Sequence, residues 1–339
     1  MKILLTGAGG FLGSRIARSL LEAGATDLRL HYRRIGDPAS VEALRRAYPD
    51  ARIETVEANL LTPASLGGLT QDVDCLIHAA AGMRGAVADM FANTVVGTRN
   101  LLDAAARASV GRIVLISSFA VYQTVHLAPG ALLSEQTPLE PEPVKRGAYA
   151  YAKTRQEQLF REFADRHGIE TVILRPGVIY GPGGGAMSPR VGLAAMGVFV
   201  SLGNQAPLPL THVDNCADAV ARAALHAPPG SAFNVVDDDL PTCSAYLDAY
   251  RRQVKRMRVV RLPLWLFSRS AGWLEAYHKR SKGQLPAVFT PYAVASMYRP
   301  LRYSNQALKS IGWSPRHGTA QALDTSFAAW REAAREGNR

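Results

Sequence analysis

The eight residues from Thr6 to Gly13, TGAGGFLG, follow the apolar run KILL and lead into a helical pattern of apolar residues that lasts to Gly24. Glycines at 7, 10 and 13 have the spacing G-x-x-G-x-x-G. A glycine loop between a strand and a helix is what a pyrophosphate needs. Gly7 and Gly10 let the backbone turn sharply and approach the phosphates, and Gly13 lets the helix pack closely on the strand. The helix N-terminus, with Phe11 and Leu12 in its first turn, then faces the anion. The spacing alone is a weak signal; the strand before it and the helix after it carry the reading of a dinucleotide-binding loop.

Outward from that loop the chain repeats the same alternation. DLRLHYR is followed by a helical pattern near 38–47, RIETVEA and DVDCLIHAA by one near 87–108, and GRIVLISS by one over about 148–167, before IETVILRPG. Strands separated by helix-length patterns predict stacked β-α-β units and a parallel sheet. Right-handed crossovers make this an α/β fold of the Rossmann type, a doubly wound parallel sheet. Past Gly177 the segment YGPGGGAMSP breaks the rhythm, and prolines and aromatics become more frequent. The expected organisation is a nucleotide-binding domain over 1–180, to which 213–239 returns through AFNVVD. A smaller C-terminal substrate-binding region comprises 181–212 and 240–335.

The chain's 339 residues suffice for a buried core. Cys75, Cys216 and Cys243 are too few and too far apart for a disulfide framework or a Cys-x-x-Cys metal site. No metal is expected, and a reducing, cytoplasmic setting fits. The opening apolar run is too short for a signal-peptide core, and no stretch approaches the roughly 20 apolar residues of a membrane helix. The amphipathic segment at 262–282 reads as an ordinary packed helix, with contact to a lipid surface or a pocket cover as the alternative. Lys plus Arg number 39 against 28 Asp plus Glu, a net charge of +11 that favours anionic partners. The basic run RRQVKRMRVVR at 251–261 lacks the interleaved aromatics of a nucleic-acid surface and reads as a solvated strand face. Phosphorylated cofactors or substrates are the expected partners, and nucleic acid is not. No G-x-S-x-G, H-E-x-x-H or P-loop pattern occurs, which removes hydrolase, zinc-protease and nucleoside-triphosphatase chemistry.

In dinucleotide sites an acid about 20 residues beyond the loop holds a free ribose 2′-hydroxyl, whereas an arginine accommodates a 2′-phosphate. Here Tyr32 stands near the acid's place and Arg33 and Arg34 follow. A guanidinium binds phosphate through two parallel hydrogen bonds, so NADP is favoured over NAD. Asp37 precedes Pro38 and reads as a helix cap. Further on, YAYAK at 149–153 offers two tyrosines. Residues four apart share a helix face and residues two apart do not. Tyr149 therefore stands with Lys153, while Tyr151 points about 200° away as a packing or rim residue. A phenol of pKa about 10 needs a neighbouring ammonium to carry protons at neutral pH.

The order TGAGGFLG, DCLIHAAAG, GTRNLLDAA, IVLISSFAVY, YAYAK and LRPGVIYGPGG resembles the extended short-chain dehydrogenase/reductase family, in its epimerase/dehydratase-like and 3β-hydroxysteroid-dehydrogenase-like branches. The likeness runs from Met1 to about Asp239 and resumes in LRYSNQALKSIGWSP; the lid-like region between matches only loosely. It implies a triad of Ser118, with Ser117 as its neighbour and backup, Tyr149 as acid/base, and Lys153 tuning the phenol and holding the nicotinamide ribose. It also implies cofactor contacts from Asn59 and Leu60, from Ala79, Ala80 and Ala81, and from Pro176 and Val178. Thr94 occupies the position of a family asparagine, and Asn93, one residue early, is given no role. His78 is read as a strand-end residue whose backbone matters more than its ring.

Sugar 4,6-dehydratases carry an acidic pair where this chain has Phe119 and Ala120, and epimerases often carry asparagine where it has Val178. The implied activity is an NADP(H)-dependent oxidoreductase that interconverts a ketone or aldehyde and an alcohol. A nucleotide-sugar epimerase with tightly bound NAD is the alternative, and a nucleotide-sensing regulator that keeps the fold is a third reading. A homodimer is expected. Residues 183–212 and 262–300 are expected to form the pocket, with Met187, Met196, Phe199, Leu208, Trp265, Phe267, Trp273 and Tyr292 suiting a bulky, partly apolar or anionic substrate.

Overall fold

Parity along the first strand sets the layers. In β1 (Lys2–Thr6), Ile3 and Leu5 point to one face and Leu4 to the other, and all three are fully buried. A strand covered on both faces belongs to the middle of a parallel sheet. The computed structural model, which describes residues 1–82, 85–195, 197–269, 271–272 and 290–336, has β1 inside a sheet of seven strands. The others are β2 (Asp27–Tyr32), β3 (Arg52–Glu57), β4 (Cys75–His78), β5 (Arg112–Ile116), β6 (Glu170–Pro176) and β7 (Ser231–Val235). Their order is β3-β2-β1-β4-β5-β6-β7, and every pairing is parallel. The order reverses between β1 and β4, and at such a switch point the crevice beyond the strands' carboxyl ends receives ligands.

Helices α1 (Phe11–Glu22) and α5 (Val213–His226) cover one face, where Ala17, Ala217, Ala221 and Ala224 let them approach each other closely. Helices α3 (Gly97–Arg107) and α4 (Ala148–His167) cover the other through Leu101, Leu102, Phe160 and Phe163. Each such fully buried side chain contributes about 1.5–3 kcal/mol. Asp37 caps α2 (Pro38–Ala47) by accepting the Ala39 amide at 3.0 Å, and Gly168, at φ +63°, ends α4 in the left-handed conformation.

A buried polar cluster fixes α4 against the sheet. Glu157 is fully buried and takes the Arg175 guanidinium of β6, with its Nε at 3.1 Å, together with the Ser117 hydroxyl at 2.6 Å. Arg175 also donates to the Tyr122 hydroxyl at 2.8 Å, which donates in turn to Asn234 of β7 at 2.6 Å.

A third core, around Tyr180, Val191, Leu208, Tyr246, Phe327 and Trp330, joins the C-terminal segments. It ties down the glycine-rich stretch after β6: Trp330 donates to the Gly184 carbonyl at 2.9 Å and Tyr246 to that of Ala186.

The structure corrects several local expectations. The helix expected near 87–108 is α-helical over Val87–Phe91, passes through a π-turn at Ala92–Val96, and resumes as α3. Thr94, inside that turn, accepts the Gly82 amide at 3.0 Å. In the basic run only Val259–Arg261 is a strand. Arg251 and Arg252 end the helix Cys243–Gln253, where cations suit the dipole. In the segment 262–282, residues 270 and 273–282 lie outside the described residues, as do Met196 and Trp273. Phe199 lies in the third core, Trp265 is 65% exposed, Phe267 packs edge-on against Tyr298, and Tyr292 donates to Glu140. Of the expected substrate residues that are described, only Met187 and Leu208 border the cleft described next.

Candidate active site

The carboxyl ends of β1, β2, β4, β5 and β6 open onto a cleft of about 1170 Å³. Gly7, Gly10, Phe11, Leu12 and Gly13 form its floor. Arg33 and Arg34 follow β2, Asn59 and Leu60 follow β3, and Ala79, Ala80 and Ala81 follow β4. Ser118 follows β5, Tyr149 and Lys153 project from α4, and Pro176 and Val178 close the far wall. The cleft thus gathers all the residues that the sequence had singled out for cofactor and chemistry.

Gly7 has φ +75°, and a side chain there would meet the Ala80 amide at 2.9 Å; a Cβ at Gly13 would lie 2.0 Å from the Gly7 carbonyl. The loop therefore tolerates no side chain at either position. Helix α1 begins at Phe11 with no side-chain cap, so the amides of its first turn have no intrahelical acceptor and face an anion unencumbered. These features fit the pyrophosphate of a dinucleotide.

At the adenosine end, Arg33 Nη2 donates to Asn93 Oδ1 at 2.7 Å, and Asn93 Nδ2 donates to the Asp89 carbonyl at 2.7 Å. Asn93, given no role in the sequence, is the residue that holds Arg33 across the cleft. Asn59 accepts the Leu61 amide at 3.0 Å through Oδ1, and its amide nitrogen has no hydrogen bond among the described residues.

At the chemical end, Ser118 caps the short turn Phe119–Val121 by accepting the Ala120 amide at 3.2 Å. Burial pushes the Tyr149 phenol above its usual range, opposed by a hydrogen bond from Ser118. Ser117 also borders the cleft, but its hydroxyl is spent on Glu157 at 2.6 Å. Tyr151 stacks on Phe91 with ring centroids 5.8 Å apart. Lys153, 4% exposed, donates to the Ile116 carbonyl at 2.7 Å and to Gln156 Oε1 at 2.6 Å. Burial lowers its pKa to about 8, with Glu157 opposing.

His78 overturns its expectation, because both ring nitrogens are engaged. Nδ1 lies 2.8 Å from Thr6 Oγ1 and Nε2 2.8 Å from Thr98 Oγ1. Thr98 donates its only proton to the Thr94 carbonyl at 2.5 Å and accepts Gln156 Nε2 at 2.8 Å. Nε2 must therefore carry the imidazole proton and Nδ1 must accept from Thr6. Burial, then the charge of Lys153, lowers the His78 pKa to about 3, so the ring stays neutral. A continuous buried chain thus runs from Thr6 beside the glycine loop, through His78, Thr98 and Gln156, to Lys153.

Two cleft arginines escaped the sequence reading: Arg146, three residues before Tyr149, and Arg190, after the glycine-rich stretch. Outside the cleft, His212, Asp214 and His317 bring ligand-type atoms within 4.8 Å of one another, with Arg15 on the other Asp214 oxygen at 3.5 Å.

A parallel seven-stranded sheet with a glycine loop at its switch point and a Tyr-x-x-x-Lys helix beside it defines a nucleotide-dependent dehydrogenase/reductase-type fold. The model of the NAD dependent epimerase/dehydratase family matches residues 3–235; the chain belongs to that family, within the extended short-chain dehydrogenases/reductases. It is similar to 2-alkyl-3-oxoalkanoate reductase of Stenotrophomonas maltophilia (strain K279a), 30% identical over 240 residues, covering 68% of each chain. Cinnamoyl-CoA reductase 1 of Petunia hybrida is 32% identical over 183 residues, 53% of this chain and 55% of that one, so the match spans about half of the relative. The crystal structure of gox2253 superposes with a TM-score of 0.77 at 27% identity and 98% coverage of both chains. UDP-glucuronic acid 4-epimerase from Bacillus cereus, in complex with NAD, shares the fold with a TM-score of 0.71 at 19% identity, covering 98% of this chain and 99% of that one. No helix among the described residues is long and apolar enough to cross a membrane.

Proposed function

We propose that the protein is an NADP(H)-dependent oxidoreductase that interconverts a ketone or aldehyde and an alcohol. The observation that carries this reading is the meeting of the Ser118 hydroxyl and the Tyr149 phenol at the cleft, with Lys153 one helical turn along. When bound, the reduced nicotinamide supplies the hydride. Ser118 orients the carbonyl oxygen, and Tyr149, held protonated by its burial, delivers the proton to it. The Lys153 ammonium offsets the charge on the phenolate left behind.

Phe119 and Ala120 hold no acid for sugar dehydration, and a relative that is 30% identical over 240 residues is 2-alkyl-3-oxoalkanoate reductase. Arg33 and Arg34, with no acid at Tyr32, support the 2′-phosphorylated cofactor. Positioned acid/base help is worth about 10²–10⁴ in rate. Tyr149→Phe should therefore lower turnover of a ketone panel by that factor while NADPH affinity stays within about twofold. Wild-type turnover in that variant would overturn the assignment. Mass spectrometry of the purified protein checks the competing epimerase reading, since NAD retained through purification would favour it.

A further inference from the structure

We infer that Arg146 and Arg190 form an anion subsite on the substrate side of the cleft, which recognises a carboxylate a few bonds from the carbonyl to be reduced. The inference rests on the carbonyl-reductase reading of the same site and names the class of substrate it takes.

Both arginines border the cleft, and both are held by main-chain carbonyls. Arg146 ends the turn Pro143–Arg146 and donates through Nη1 to the Ala120 carbonyl at 2.8 Å and to the Tyr122 carbonyl. Those carbonyls belong to the segment that Ser118 opens, so the guanidinium sits beside the catalytic hydroxyl. Its Nε is buried with no hydrogen-bond partner. Arg190 donates through Nη1 to the Met297 carbonyl at 2.8 Å. The backbone around it is fixed by the Tyr298 hydroxyl on the Pro189 carbonyl at 2.6 Å and by Cys243 Sγ on its own carbonyl at 3.4 Å.

Several other arginines are neutralised, Arg29 by Glu54, Arg112 by Glu170 and Arg175 by Glu157, whereas the half-buried Arg222 and Arg299 donate to the carbonyls of Ile311 and Val125 and do not border the cleft. Among the described residues neither Arg146 nor Arg190 forms an ion pair. The buried Glu140 carboxylate lies near Arg146 and its charge partly offsets the lowering of the arginine's pKa, but it makes no ion pair among the described residues: its Oε1 is taken by the Glu142 amide and the Tyr292 hydroxyl, and its Oε2 has no hydrogen-bond partner there. Burial, then the charge of Arg190, lowers Arg146 to about 10, which records two like charges sharing one cavity. A carboxylate between them relieves that repulsion and supplies acceptors for the remaining donors.

The cofactor's phosphates have their own partners at the opposite end, in the glycine loop and at Arg33 and Arg34. Met187, Leu208 and Met297 offer an apolar wall beside the arginines. The fitting substrate is therefore an oxo acid with an alkyl chain, its ketone at Ser118 and Tyr149 and its acid group at the arginines.

The test uses the full chain loaded with NADP⁺, which cannot reduce a ketone, and calorimetric titration with 3-oxodecanoate, its methyl ester, and UDP. The acid should bind about tenfold to a hundredfold tighter than the ester, the range of a charge-assisted hydrogen bond. Arg190→Gln should erase most of that preference and Arg190→Lys should keep part of it, with melting temperature and NADPH affinity as checks on folding. Arg190 is the primary variant because Arg146 also anchors backbone. Equal binding of acid and ester overturns the subsite. UDP binding tighter than the acid, and lost in Arg190→Gln, overturns the carboxylate in favour of a diphosphate. A parallel assay with NADPH separates the two readings. Reduction with no preference for the acid sinks the subsite alone, whereas acid-selective binding without reduction supports the subsite and sinks the reductase reading.

Discussion

Replacing Lys153 by methionine should change how the protein's stability depends on pH. Lys153 is buried, and its pKa falls from an ordinary 10.5 to about 8. Where a base has a folded-state pKa below its unfolded value, the unfolded chain binds more protons between the two, and stability rises with pH across that window. Below about pH 8 the penalty is complete; at about 1.4 kcal/mol per pH unit it amounts to about 3 kcal/mol. Between about pH 7 and about pH 9.5 the wild type should gain about 2 kcal/mol relative to Lys153→Met. The lost bonds to Ile116 and Gln156 weaken the variant equally at both pH values and cancel in this comparison, as do titrations elsewhere. The assay is equilibrium urea unfolding of the cofactor-free protein and its variant at the two pH values. A stability difference that stays flat, or that changes in the opposite direction, would refute the claim that burial governs the charge of Lys153.

Arg33→Asp should weaken NADPH binding and strengthen NADH binding in a fluorescence titration, since a carboxylate repels a 2′-phosphate and suits a free hydroxyl; an unchanged ratio would remove Arg33 from phosphate reading. Glu157→Gln leaves the Arg175 guanidinium buried without its carboxylate and should cost about 3–5 kcal/mol in chemical denaturation. A loss below about 1 kcal/mol would show that Tyr122 and the substituted amide suffice to satisfy the arginine. The native protein should react negligibly with a thiol reagent until unfolded, because Cys75, Cys216 and Cys243 are all free and buried; prompt labelling of any of them would contradict that packing.

What the sequence disclosed was what spacing alone encodes. The glycine loop, the Asp37 cap and the common place of Tyr149 and Lys153 on the cleft side of one helix are relations within one element or one turn, so residue number translates directly into geometry. The strand–helix alternation disclosed the sheet for the same reason. The role of the His78 ring was illegible because its partners, Thr6 and Thr98, lie 72 and 20 residues away. Asn93 was passed over because the π-turn at Ala92–Val96 alters the register of its helix, which no periodicity announces. The substrate residues were chosen for aromatic and apolar character in a region without a regular period. There the same character serves the third core, as at Phe199, or the surface, as at Trp265. Arg146 and Arg190 were two among 39 cations until the fold set them in one cavity.

The buried chain from Thr6 to Lys153 converges on Thr98, which accepts from His78 on one side and from Gln156 on the other and donates out of the chain to the Thr94 carbonyl. The Thr6 and Thr98 hydroxyls and the His78 imidazole already spend their hydrogens on acceptors, and the Gln156 amide that joins Lys153 to the rest has no acidic hydrogen to hand on. The interior on that side is an electrostatic brace and a dead end for traffic. On the proposed mechanism, a proton given up by Tyr149 is then replaced through the open mouth of the cleft, the same door by which a substrate would enter and its product depart. Any ligand that plugs this door should stall reprotonation along with exchange.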